Sequence, residues 1–147
     1  MQKLAMQVIG SLLLSLGMQS CTAAAPSAAS LCHLQRHAKQ GERQNVRVEG
    51  LYSNGLEVGV LTDSACPSQR TWVEFDLRAK ENKDLLRSTL DTKGHARVVF
   101  EGEFFGPGKP EPNLPEAIRK SYQPGWGHLG AFKTKLVVHV IQSVKSD

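Results

Sequence analysis

Residues 45–77 read NVRVEGLYSNGLEVGVLTDSACPSQRTWVEFDL, and the reading of this stretch decides the fold. Apolar side chains recur at every second position, at Val46, Val48 and Tyr52, then Leu56, Val58 and Val60, then Val73, Phe75 and Leu77. That is the period of a strand with one buried face, because successive side chains point to opposite sides of the backbone. Ser53, Asn54 and Gly55 supply a hairpin turn between the first two runs, since Asn and Gly tolerate the positive φ that such turns require. Gly50, inside the first strand, marks a bulge or a sharp bend of the kind a strand needs when it serves both halves of a closed barrel. Between the second and third runs, 63–70 carries Asp63, Cys66 and Pro67 and reads as a loop. In the third run Val73, Phe75 and Leu77 take the core face, so Trp72, Glu74 and Asp76 point outward. Trp72 is then either covered by a neighbouring segment or available to a ligand.

Downstream segments complete the sheet. Residues 82–90 form a short helix, with Asn82 as its N-cap, Asp84 in the first turn, Leu86 and Leu90 one turn apart, and Gly94 closing it. Its leucines would plug one end of a barrel. Residues 95–105 alternate again: Ala96, Val98, Phe100, Gly102 and Phe104 share one face, and Arg97, Val99, Glu101, Glu103 and Phe105 the other. A long connection rich in Pro and Gly, 106–133, follows, with a helical turn at 115–122. A structureless span of that length in a small domain is usually functional or packs as a unit. The last strand, 135–144, is apolar on both faces and belongs inside the sheet.

The order is strand, strand, strand, helix, strand, long loop, strand, which predicts a mainly β protein: an OB-fold-like five-stranded Greek-key barrel with the helix between strands 3 and 4. The chain resembles small exported bacterial proteins of OB-fold type. The resemblance rests on V-x-V-x-G-x-Y at 46–52, L-x-D at 61–63 with Cys66 after it, W-V-x-F at 72–75 and G-H-L-G at 127–130. It covers 45–144, concerns layout, and implies no named activity.

Upstream of the barrel, residues 1–20 have the features of an export signal. Met1 and Lys3 form a short positive start, 8–16 is apolar, and small or polar residues follow. The apolar run is too short to span a bilayer as a permanent helix, so no transmembrane helix is expected in the mature chain. Cys21 follows directly after Met18, Gln19 and Ser20, which resembles the cleavage site of bacterial lipoproteins, where a cysteine is acylated and tethers the chain to a membrane. Met18 and Gln19 depart from the usual Leu and small residue of that site, and cleavage among the alanines after Cys21 is the competing reading. Residues 21–30, rich in Ala, Ser and Pro, read as a flexible tether, and 31–147 as a single domain. Either way the mature protein is extracytoplasmic, periplasmic or lipid-anchored. Cys32 and Cys66 would then form a disulfide pinning the segment before the first strand to the loop after the second.

Charge narrows the partners. The chain has 18 Lys and Arg against 14 Asp and Glu, a net charge of +4, and Lys3 is the only charge in 1–20. The mature surplus is mild and its signs interleave, as in KENKD and EAIRKS. Together with the export signal this argues against a nucleic-acid partner. His33 and His37, four apart on a helical turn around Leu31 and Leu34, could ligate zinc or copper if two further ligands came from elsewhere, but they read more simply as a solvated face. No metal or other cofactor is expected.

The expected ligand surface is the one OB-type barrels use, across strands 2 and 3 and the adjoining loops. It would comprise Tyr52, Asn54, Trp72 and Glu74 with Trp126, His128 and Phe132 from the long loop. In PGWGHLG (124–130) three glycines permit close backbone approach to a partner, and Trp126 and His128 offer a stacking face and a titratable donor. That suits recognition of an envelope protein, a peptide or a glycan. The competing reading is structural: the glycines meet turn geometry, Trp126 and Leu129 cap the barrel, and His128 bonds backbone. Glu101 and Glu103 could form a carboxylate pair, although alternating acids are also what a solvated strand shows. No nucleophile elbow, phosphate-binding glycine loop or H-E-x-x-H occurs, which disfavours catalysis. The expectation is an exported binding module of the cell envelope. The alternative is an enzyme or enzyme inhibitor acting on envelope polymers through 107–133.

Overall fold

The computed structural model describes residues 27–55, 58–108, 115–119, 124–127 and 130–146. The expected leader (1–20), Cys21 and the first part of the tether lie outside them, as do Leu56, His128 and Leu129. In chain order the elements are β1 (Ala29–Ser30), α1 (Leu31–His37), β2 (Arg43–Asn54), β3 (Gly59–Thr62), β4 (Arg70–Phe75), α2 (Lys83–Lys93), β5 (His95–Phe105), α3 (Glu116–Arg119) and β6 (Thr134–Lys145).

The strands lie in the order β1, β2, β3, β4, β6, β5, and β5 pairs back onto β2, closing a five-stranded barrel with β1 as an appendage. Neighbours in the barrel are antiparallel except β4 and β6, which run parallel because the chain passes through β5 between them. This is an OB-fold-like barrel. As expected, the doubly apolar last strand sits inside the sheet, between β4 and β5.

Alternation explains the interior. Val48, Tyr52, Leu61, Val73, Ala96, Val98, Phe100, Phe104, Leu136, Val138 and Ile141 fill the barrel, and fully burying one such large side chain contributes about 1.5–3 kcal/mol. Leu31 and Leu34 of α1 close one end, where Gln35 Nε2 donates to Thr71 Oγ1 at 2.8 Å. Leu86 of α2 closes the other. Cys32 and Cys66 are disulfide-bonded with Cα atoms 5.9 Å apart, the pairing the sequence led us to expect, and so fasten α1 to the β3–β4 loop. Asp63 reinforces that joint. It accepts from Ala65 N at 2.9 Å and from Cys32 N and Ser30 Oγ at 3.3 Å each. These bonds, led by that from Ala65, hold its carboxyl below the ordinary value.

Several expectations need correction. Ala29 and Ser30, read as the end of the tether, pair as a short parallel strand with Val48 and Glu49 of β2. β2 runs on to Asn54 and β3 starts only at Gly59, with Gly55 N bonded to Val58 O across the turn. The inward residue of β3 is Leu61, opposite Tyr52. Val60 stands on the outer side opposite Ser53 and Trp72, yet it too is buried. The ladder through Gly50 is unbroken; the irregularities lie on β6, where His139 and Gln142 are each passed over in the pairing with β5. Gly102 sits at the first of these, so close to the Val137 carbonyl that no Cβ could fit. Phe75 has the inward parity of Val73 but is 41% exposed, because β4 ends there and the ring leans out of the barrel mouth. Asn82 does occupy the N-cap position of α2 but makes no side-chain cap. Its φ is 59°, and its Nδ2 donates instead to Ile141 O at 2.7 Å, tying α2 to β6.

Candidate functional site

Strand register builds one continuous outer row. Val60 lies opposite Trp72, Trp72 beside Lys135, Lys135 opposite Phe105, and Phe105 opposite Arg43. The next outward row brings Glu74 and Glu103 to either side of Val137. All of these side chains point outward because their inward neighbours Thr71, Val73, Phe104 and Leu136 are buried.

Residues 124–127 and 130–132 fold onto this row. Trp126 and Phe132 pair as an isolated antiparallel bridge, with Trp126 N donating to Phe132 O at 2.7 Å, and the Trp126 indole Nε1 donates to Gly106 O at 2.9 Å. Their rings meet the barrel: Phe132 lies 5.4 Å from Trp72 and Trp126 lies 5.6 Å from Phe105, both tilted contacts. Gly127 has φ 71° and rests on the Trp72 indole so closely that any Cβ would clash. Of the glycines expected to admit a partner, Gly127 thus admits the chain's own tryptophan, and Gly125 sits against the backbone of Gly130.

Charges interleave with the rings. Lys135 Nζ sits 4.5 Å from the Trp126 ring and 4.9 Å from Phe105, and 3.2 Å from Glu74 Oε2. The other oxygen of Glu74 accepts from Trp72 Nε1 at 3.0 Å. Arg43 holds Glu103 through two parallel hydrogen bonds of 2.6 and 2.8 Å while lying over Phe105. That fork raises the Arg43 pKa and lowers that of Glu103, chiefly through the hydrogen bond. Glu101 pairs with Arg47 at 3.7 Å, so the two acids read as a carboxylate pair each face a guanidinium instead.

Of the predicted site residues, Trp72, Glu74, Trp126 and Phe132 come together here. Tyr52 does not. It belongs to the inward face of β2, is 3% exposed, and packs edge-on against Phe75 and Phe100 at the α2 end. His128 lies outside the described residues. Phe105, Lys135, Arg43 and Glu103 were missed as site members. Alternation places Phe105 and Glu103 outward, but only the pairing of strands distant in sequence sets them beside Trp72. His139, at its bulge, puts Nδ1 3.0 Å from the Asp76 carbonyl oxygen, an orienting partner supplied by the residue that follows β4.

For metals, the described residues offer one grouping, Cys32, Asp63 and Cys66, whose ligand atoms lie within 4.8 Å of one another. Its two sulfurs are bonded to each other, which removes the thiolates a metal would need. The rings of His33 and His37 lie 4.4 Å apart on α1, as their spacing predicts. Among the described residues no helix is long and apolar enough to cross a membrane.

The class these features define is an OB-fold-like barrel carrying a half-exposed aromatic and charged row. Comparison with protein-family models, curated proteins and solved structures finds no match to this chain.

Proposed function

We propose that this protein is an exported interaction module of the cell envelope, holding a peptide or glycan against the outer row of the barrel and tethered by lipid at Cys21. The observation that carries this reading is the juxtaposition of Trp72, Phe105, Trp126 and Phe132, all half-exposed, with Arg43, Lys135, Glu74 and Glu103. Aromatic faces stack on sugar rings or peptide side chains at little conformational cost. Arg43, whose side chain is 63% exposed, can exchange Glu103 for a ligand carboxylate or hydroxyl without desolvating a buried charge. The leader and the Cys32–Cys66 bond support an oxidising, extracytoplasmic setting.

The test is an array of envelope glycans and peptides, followed by titration of the best ligand with wild type, Trp126→Ala and Arg43→Ala. The expected result is binding without turnover, weakened about tenfold or more by each substitution. That is the loss expected when a stacking ring or a charged hydrogen bond worth about 1.5–3 kcal/mol is removed. Equal binding by all three proteins, with circular dichroism showing each folded, would place the ligand elsewhere. Mass spectrometry of the mature amino terminus tests the anchor: an acylated Cys21 is expected, and an unmodified terminus beyond residue 21 would remove the lipid from the proposal.

A further inference from the structure

Beyond the opposite end of β4 lies a second feature that the outer row does not involve. Where α2 meets the mouth of the barrel, a cavity of about 600 Å³ opens between Tyr52, Phe75, Leu77, Leu86, Leu90 and Ile141. This volume falls within the range of about 300–1,000 Å³ typical of small-molecule sites. Phe75 is one of the two most exposed large apolar side chains among the described residues, and one edge of its ring is spent on Tyr52 and Phe100. The open part of this ring adds apolar surface to the cavity wall beside Leu77, Leu86 and Leu90.

The rim is cationic. Lys80, Lys83 and Arg87 line the opening against one acid, Asp91, and no salt bridge to any of the three cations occurs among the described residues. Lys83 and Arg87 are four apart on α2, so two like charges stand side by side on the same helix face as Leu86 and Leu90. Such a pair is mildly destabilising in a helix unless an anion lies between them. An apolar interior with a positive lip is complementary to a single apolar chain ending in an acid.

We infer that this cavity binds a free fatty acid, its alkyl chain lying along Phe75, Leu86 and Leu90 and its carboxylate held by Lys80, Lys83 and Arg87. The site shares no residue with the outer row, so either reading can fail without the other.

The test is isothermal titration of the full mature protein, below micelle-forming concentrations, with octanoate, decanoate, decanol and decylamine. Decanoate is expected to bind at least tenfold more tightly than decanol, and decylamine most weakly. Each added methylene from octanoate to decanoate should tighten binding about fourfold, the equivalent of about 0.8 kcal/mol per buried CH₂. In the variant Lys80→Glu/Lys83→Glu/Arg87→Glu the order of decanoate and decylamine should invert. Leu90→Trp, which fills the cavity, should weaken all three ten-carbon ligands. The rim variant alters only exposed side chains, so it keeps the test decisive should Trp at 90 not fold. Failure of decanoate to bind, equal affinity for decanol, an unchanged order in the rim variant, or full affinity in a folded Leu90→Trp protein would each overturn the inference. So would sedimentation with phosphatidylglycerol vesicles in the absence of any decanoate binding, which would assign the cationic lip to a membrane surface.

Discussion

Tyr52 shows how one side chain can serve the core and a cavity together. Its ring is buried against Phe75 and Phe100, and burial pushes its phenol up from 10.0 to about 12. A group whose folded value is raised contributes stability that is fully present below its unfolded value and lost as pH climbs through the folded one. The neutral phenol should therefore stabilise the fold up to about pH 10 and cease to do so by pH 12. Two units correspond to about 2.7 kcal/mol, and water reaching the adjoining cavity reduces this to on the order of 1–2 kcal/mol. Urea denaturation of wild type and Tyr52→Phe between pH 9 and 12 checks this. The wild type should lose that much more stability than the variant, and parallel curves would show that the phenol is not desolvated. Trp72 teaches a related lesson at the same scale. Alternation alone placed it on the outer face, but its cover, the backbone of Gly127 and the ring of Phe132, comes from more than fifty residues downstream.

Among the elements, α2 depends most on a single unusual residue. Asn82 adopts a left-handed φ that other non-glycine residues reach only at a cost of about 1–2 kcal/mol, and its amide joins the helix start to β6 at Ile141. Asn82→Gly keeps the backbone geometry and loses the hydrogen bond, which should cost about 0.5–1.5 kcal/mol. Asn82→Ala loses both and should cost about 1 kcal/mol more, a gap narrowed by the looser unfolded chain that glycine confers. Chemical denaturation of the two variants separates the contributions; an alanine variant as stable as the glycine one would mean the left-handed turn relaxes freely. The sequence marked Asn82 as a helix start through its residue type, while the strain and the partner on β6 had no local signature. The bulges at His139 and Gln142 were equally invisible, because β6 reads as an uninterrupted apolar run and the extra residues exist only relative to β5.

At the scale of the whole molecule, the closed barrel is held at its α1 end by a covalent clasp. Cys32 and Cys66 close a loop with a sequence separation of 34, for which chain-entropy arguments give about 3–4 kcal/mol. The double variant Cys32→Ser/Cys66→Ser should lose stability of that order in denaturant titrations. Wild type under reductant should match it, and a variant of unchanged stability would show that α1 seats itself without the bond. Residue order and alternation by themselves determined the architecture: five strands, a helix between the third and fourth, an internal last strand, and an outward Trp72 and Glu74. They could do so because a two-residue period and a turn signal are local properties of the chain. Tertiary structure alone decided that Leu61 and not Val60 faces the core of β3. It alone decided that Tyr52 lies at the α2 mouth, and that Phe105, Lys135 and Arg43 join Trp72 in one row. These are matters of register and cover, set by which distant strands and loops come to lie side by side, and a one-residue slip in pairing turns every side chain of a strand to its opposite face.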